Sequence, residues 1–293
     1  ACFVEAISLV IAAPLSAFGD RFAAVANRFG LEVHRLDKPW GQAVLPSDLE
    51  AKLQEVPHCK AVLITHNETS TGVTNPLAEL AAVAHASGRL VIVDAVSSAG
   101  ALPLKMDEWD LDFVSSGSQK AWMCPPGLVI CAIGPRAWAA YEQSGYYRFF
   151  WDINDARAMS EKNMTVATPP LNLLFGLDAA LQLMVDEGLD EVWARHQRLG
   201  DLARHRVREA GLELFADPAH ASDSLTALRV PDGSTASGLV AQIVAEHNVL
   251  LQIGQGALAE KVIRIGHMGW VTDEDVEEAC AALAAVTSNL ALA

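Results

Sequence analysis

Short runs rich in Val, Ile and Leu, each bounded by Gly, Pro or polar residues, recur through the first half of the chain at 31–36, 60–66, 89–94, 112–116 and 128–133. Runs of this length and composition predict strands. Between several of them the apolar spacing changes to three-to-four. Positions 18–29 place apolar residues on one helical face and stop at Gly30; 75–86 opens with Asn75 as a cap and Pro76 at the first helical position, and stops at Gly88. The opening stretch at 5–16 is read as the remnant of a helix. Strands alternating with helices are the rhythm of a mostly parallel sheet covered by helices.

The pattern changes near Leu171. Long helices are predicted at 171–187 and 189–210, the second ending at Gly211, followed by strands at 212–215, 224–230, 249–252 and 262–265 and helices at 237–247 and 273–287. The predicted architecture is α/β. A large, mostly parallel unit over 1–187, expected to lack part of its N-terminal end, precedes a smaller α+β unit over 188–293. In open α/β sheets ligands sit at the carboxyl ends of the strands. That directs attention to 66–72, 94–98 and 116–120, all polar and rich in Gly or Ser.

Composition narrows the function without choosing it. With 293 residues, 51 % hydrophobic and 19 % charged, apolar burial can offset chain entropy without disulfides or metals. A net charge of −15 repels phosphate backbones and anionic headgroups, so nucleic-acid and membrane partners are not expected. No apolar run approaches the roughly 18 to 20 residues of a membrane span. Five scattered cysteines without a C-x-x-C pair, and no secretory pattern over 1–13, are read as reduced thiols in a cytoplasmic protein. The histidines show no metal-ligand spacing. The stretch Gly254-Gln-Gly-Ala-Leu-Ala259 matches a dinucleotide pattern but leaves no room for the required helix before the strand at 262.

Two strand ends carry chemistry. Arg89-Leu-Val-Ile-Val-Asp94 closes an apolar strand with a carboxylate that can hold a positive charge. Asp112-Phe-Val-Ser-Ser-Gly-Ser-Gln-Lys120 closes another with a lysine framed by small polar residues. Such a lysine becomes a Schiff-base nucleophile once desolvation or a neighbouring cation lowers its pKa. Pyridoxal 5′-phosphate uses both groups: its aldehyde forms an imine with a lysine, and its pyridinium nitrogen needs an acidic partner. Alone, Asp94 reads as a loop cap and Lys120 as a solvated charge; together they point to that cofactor.

Five motifs follow one another: Thr65-His-Asn-Glu-Thr69-Ser-Thr-Gly72, Val93-Asp94-Ala-Val96-Ser-Ser98, Ser116-Gly-Ser-Gln119-Lys120, Ala167-Thr168-Pro-Pro170 and Ile263-Arg264-Ile-Gly-His267-Met-Gly269. In order and spacing they resemble the class V aminotransferases, in particular the alanine–glyoxylate and serine–glyoxylate enzymes, from about Ala17 to the C-terminus. The resemblance implies a fold type I transferase that moves the amino group of alanine or serine to glyoxylate. It assigns Lys120 to the imine and the proton transfers, Asp94 to the pyridinium nitrogen, Val96 to the ring face, and Thr69 to the 3-hydroxyl oxygen. Gln119 would contact the phosphate, Thr168 the phosphate of a neighbouring subunit in a homodimer with shared active sites, and Arg264 the substrate carboxylate. By motif position, His66 and His267 are expected near the crevice.

The expected partners are a small amino acid and a 2-oxo acid. Two departures accompany the match: 1–16 contains no Gly-Ser-Gly-Thr-like phosphate loop, and Thr165 stands where some relatives carry a phosphate-donating Tyr. Similar signatures also serve aminoethylphosphonate, phosphoserine and ureidoglycine aminotransferases and cysteine desulfurases. A dimerising remnant without cofactor is the alternative of a different class.

Overall fold

The computed structural model describes residues 9–13, 17–146 and 148–288. Its first strand corrects the reading of 5–16 as a helix remnant. Leu9–Ala13 forms β1, with Val10 and Ile11 wholly inaccessible to solvent, while 5–8 and 14–16 lie outside the described residues. An all-apolar run buried on both faces carries no period that separates strand from helix; its β-branched residues and its place between two other strands decide.

After β1 come β2 (Glu32–Arg35), β3 (Ala61–Thr65), the hairpin of β4 (Asn67–Glu68) and β5 (Val73–Thr74), β6 (Leu90–Asp94), β7 (Phe113–Gly117) and β8 (Val129–Ile133). The main sheet has the order β2-β1-β3-β6-β7-β8, parallel throughout except for β8 against β7. Thr65 pairs with Asp94 and Asp94 with Ser115, so β3 and β6 end level at the carboxyl edge and β7 runs two residues further, to Gly117.

Alternating residues of these strands face two cores. Ile11, Val62, Ile64, Val91 and Val93 pack against α2 (Pro46–Glu55) and α3 (Leu77–Ala86). Val10, Leu63 and Ile92 pack against α1 (Ala17–Arg28) and α4 (Pro135–Gln143). The predicted Asn75 cap is corrected: α3 has Pro76 at its N-cap, and the Asn75 side chain accepts the Val44 N–H at 2.9 Å and donates to the Thr65 carbonyl at 2.9 Å. Asn75 instead ties the loop at Val44 to the end of β3.

Beyond α5 (Ile153–Ser160) and α6 (Leu171–Glu187), the long α7 (Leu189–Glu209) leads into β9 (Leu225–Arg229), α8 (Ala236–His247), β10 (Gln252–Ile253), β11 (Val262–Gly266) and α9 (Asp273–Ser288). Here β10, β11 and β9 form an antiparallel sheet, and its Leu228, Ile263 and Ile265 share a core with Leu199, Ala203, Ile243, Val276 and Leu283. The stretch at 254–259 contains only the short 3₁₀ turn Gly256–Leu258. Among the described residues no helix is long and apolar enough to cross a membrane.

The β4–β5 hairpin meets the small antiparallel sheet at Gly72. Its φ of +71° is a conformation that favours glycine, and a Cβ there would lie 3.2 Å from both the Ala227 side chain and its backbone nitrogen. The β4–β5 turn is thereby pressed onto β9.

Candidate active site

Asp94 closes β6 half-buried at the carboxyl edge. Its Oδ1 accepts the Val96 N–H at 3.0 Å, whereas Oδ2 has no donor among the described residues. Burial pushes the carboxyl above the ordinary aspartate range, against the Val96 N–H and the Lys120 charge, which pull it down. Lys120 follows β7 through a turn tied by Ser118, whose hydroxyl donates to the Pro125 carbonyl at 2.7 Å and accepts the Leu128 N–H at 3.2 Å. Burial lowers the Lys120 pKa, the Arg264 charge lowers it further, and Asp94 opposes both. Among the described residues the Lys120 amine has no hydrogen-bond acceptor and pairs with no carboxylate, so it and Asp94 interact through space, with the amine and Oδ2 of Asp94 unused.

Arg264 arrives from the other sheet, on β11. Its Nε donates to the Ile253 carbonyl at 3.0 Å and its Nη1 to the Thr69 carbonyl at 3.1 Å, so two backbone oxygens fix the guanidinium plane. Thr69 lies in the β4–β5 turn, and its hydroxyl donates to Ser97 Oγ at 3.0 Å.

The same Ser97 oxygen accepts from Asn67 Nδ2 at 3.0 Å, and that amide also reaches Ser224 Oγ at 3.0 Å, at the entrance to β9. Glu68, fully buried, accepts the Phe18 and Gly19 N–H groups at the start of α1 and the Ser70 N–H and hydroxyl. Burial raises its carboxyl against these four donors. Asn67, Glu68, Ser97 and Ser224 were not singled out as site residues from the sequence. Asn67 and Glu68 lie in the polar 66–72 stretch and Ser97 in the 94–98 stretch, both after apolar strands, whereas Ser224 carries no such signal.

The other expected residues divide. Val96 is half-buried two residues beyond Asp94. Gln119 is exposed beside Lys120, and its amide folds back over Gly117, where a Cβ would stand 2.9 Å from Gln119 Oε1. Thr168 is exposed in the segment between α5 and α6, and no hydrogen bond joins it to Lys120, Asp94 or Arg264. His66 stays beside Asp94, its backbone N–H donating to the Asp94 carbonyl at 2.9 Å, but the rings of His66 and His267 are turned into the core. Both are buried: His66 packs edge-on against Trp109, and His267 Nε2 lies 3.0 Å from Thr226 Oγ1. Burial pushes their pKa values down to about 4 and about 3, which makes them neutral core imidazoles.

This donor set suits pyridoxal 5′-phosphate. Asp94 keeps a carboxylate oxygen without a donor and Lys120 an amine without an acceptor, and their charges act on each other; the Thr69 hydroxyl is held by Ser97, three residues beyond Asp94. Of positions 1–16, which hold no Gly-Ser-Gly-Thr-like sequence, 1–8 and 14–16 lie outside the described residues.

Residues 20–278 match the family model described as aminotransferase class-V. The chain is 40 % identical over 292 residues to a soluble hydrogenase small subunit of Synechococcus sp., covering 98 % of this chain and 76 % of that protein. It is 37 % identical over 288 residues to the L-aspartate–glyoxylate aminotransferase of Paracoccus denitrificans, covering 97 % and 73 %. The solved alanine–glyoxylate aminotransferase of Nostoc sp. aligns with a TM-score of 0.92 and 31 % identity, over 98 % of this chain and 77 % of that one.

Proposed function

The chain belongs to the class-V aminotransferase family, and from that premise we propose that it transfers the amino group of alanine or serine to glyoxylate with pyridoxal 5′-phosphate as cofactor. The architecture is that of the fold type I pyridoxal-phosphate-dependent aminotransferases. The observation that carries the reading is that Lys120 lies within the field of both Arg264 and Asp94, although the three come from two different sheets.

When bound, the cofactor supplies an aldehyde that captures amino groups and an electron-withdrawing ring. Asp94 would hold the ring nitrogen through the oxygen left free by Val96, and Val96 would cover one ring face. Thr69 would meet the 3-hydroxyl oxygen and Gln119 the phosphate; Thr168 would serve the phosphate of a neighbouring subunit in a homodimer. Lys120, whose amine is biased toward its neutral form by burial and by Arg264, takes the proton from the substrate Cα and returns it later in the cycle. Arg264 clamps the substrate carboxylate, its plane already set by Ile253 and Thr69.

Visible absorption of the purified chain with added pyridoxal 5′-phosphate tests the reading. A band that L-alanine bleaches and glyoxylate restores is expected, and Lys120→Ala should abolish turnover. Steady-state transamination by Lys120→Ala would refute the assignment of that lysine.

A further inference from the structure

Beyond β11 the chain forms a strap over 266–270 that runs against the Lys120 turn. Gly269 has φ of +85°, and a Cβ there would lie 3.2 Å from Met123 Cγ and 3.7 Å from the Lys120 carbonyl oxygen. Met268 extends the contact by packing on Ala101, Leu102 and Ala121. The strap therefore joins the strand that carries Arg264 to the turn that carries Lys120.

Both polar groups of Gly269 are held by consecutive residues of α7. Its N–H donates to His196 Nε2 at 3.0 Å, and its carbonyl accepts Arg195 Nη1 at 2.8 Å. His196 is fully buried, and its Nδ1 lies 2.7 Å from the Val192 carbonyl, which can only accept. Nδ1 thus carries the hydrogen, and Nε2 is the bare acceptor that the Gly269 amide requires. Burial lowers the His196 pKa, in keeping with a neutral ring. Arg195 is itself fixed by Glu187 at the end of α6, through contacts of 2.6 and 3.0 Å.

We propose that Arg195 and His196 are positioning residues: by gripping the Gly269 peptide from both sides, they fix the strap and with it the placement of Arg264 relative to Lys120. The proposal rests on the roles given above to those two residues. A buried imidazole in a helix is costly unless both nitrogens are used, and here one nitrogen serves the helix and the other a backbone amide beside Lys120.

Two substitutions separate the nitrogens. His196→Asn keeps a donor for Val192 but withdraws the acceptor from Gly269, whereas His196→Gln carries an amide oxygen to the Nε2 position. Hydrogen exchange of the 266–272 peptide, followed by mass spectrometry on the full chain with and without pyridoxal 5′-phosphate, should accelerate on the order of tenfold in His196→Asn. Exchange in α9 should stay unchanged, and His196→Gln should return near the parent rate. In steady-state assays, KM for the amino donor should rise on the order of tenfold in His196→Asn with a smaller change in kcat, again recovered in His196→Gln.

Unchanged exchange at 266–272 would overturn the clamp. Faster exchange with unaltered KM would reduce it to a structural contact and overturn the positioning role. Should His196→Asn fail to fold, Arg195→Gln, on the partly exposed side of the clamp, must give the same acceleration and KM rise. A parent chain inactive with every small amino donor would overturn the transaminase reading and the positioning role with it; the exchange result would still decide whether the clamp exists.

Discussion

Replacing Arg264 can separate its charge from its geometry. In the parent, the Ile253 and Thr69 carbonyls hold Nε and Nη1 at 3.0 and 3.1 Å, so the remaining N–H groups are presented in a fixed plane. Arg264→Lys keeps a cation beside Lys120 but loses that plane and one of the two parallel bonds to a carboxylate. A hydrogen bond to a charged group is worth about 1.5–3 kcal/mol, so a loss of about 2 kcal/mol, or about 30-fold in KM for the amino donor, is expected with kcat less affected.

Arg264→Gln removes the charge as well. Burial is the main cause of the lowered Lys120 pKa and Arg264 the second, so losing the cation raises that pKa and leaves less free amine at any pH below it. The rate at which the cofactor-free chain captures pyridoxal 5′-phosphate, followed from about pH 6 to pH 10, should then show its acid limb displaced upward in Arg264→Gln and unmoved in Arg264→Lys. A KM for Arg264→Lys within about threefold of the parent would refute the carboxylate role. An unmoved limb in Arg264→Gln would refute the electrostatic one.

Two further outcomes concern stability. Asp112, 1 % exposed, accepts from Arg136 Nε at 2.7 Å and from the buried Val91 N–H at 2.7 Å, so Asp112→Ala orphans a strand amide. Urea unfolding should show a loss of about 2–4 kcal/mol, discounted because Arg136 is partly exposed and retains Asp110; a loss below about 1 kcal/mol would contradict it. His66 and His267 stay neutral in the fold down to about 4 and about 3, but take up protons near 6.5 once unfolded. Their contribution is therefore complete above 6.5 and falls with acidification at about 1.4 kcal/mol per pH unit for each histidine. Urea midpoints at descending pH should show a shallower decline in His66→Gln, and an equal slope would refute the buried neutral ring.

The strand that carries Asp94 was legible because it is a bounded apolar run with a polar stop, and the crevice rule points to that stop and to the polar segment after β7 that holds Lys120. Helix α2 escaped because only Leu49 and Leu53 of its ten residues are buried, too few to mark a face. The β4–β5 hairpin has strands too short to show alternation. Asn75 looked like a cap because its local neighbours fit that role, yet its partners, Val44 and Thr65, are chosen by tertiary packing. The network through Asn67 was equally hidden, since the contact with Ser224 spans 157 positions. Sequence position brought His66 and His267 to the crevice, but the direction of a side chain beyond a strand end belongs to the packed core.

The pairing of Asp94 with Thr65 on one side and Ser115 on the other fixes which side of the sheet its carboxylate takes. A slip of β6 by one residue would set Val93 or Ala95 opposite Thr65 and Ser115 and turn the Asp94 carboxylate to the other side of the sheet. A collapsed chain with every strand formed but misaligned would look native to a spectroscopic measure of secondary structure while lacking the acid beside Lys120. With Asp94 in the role proposed for it, recovery of cofactor capture during refolding would be a read-out of strand alignment, silent until the correct pairing is reached.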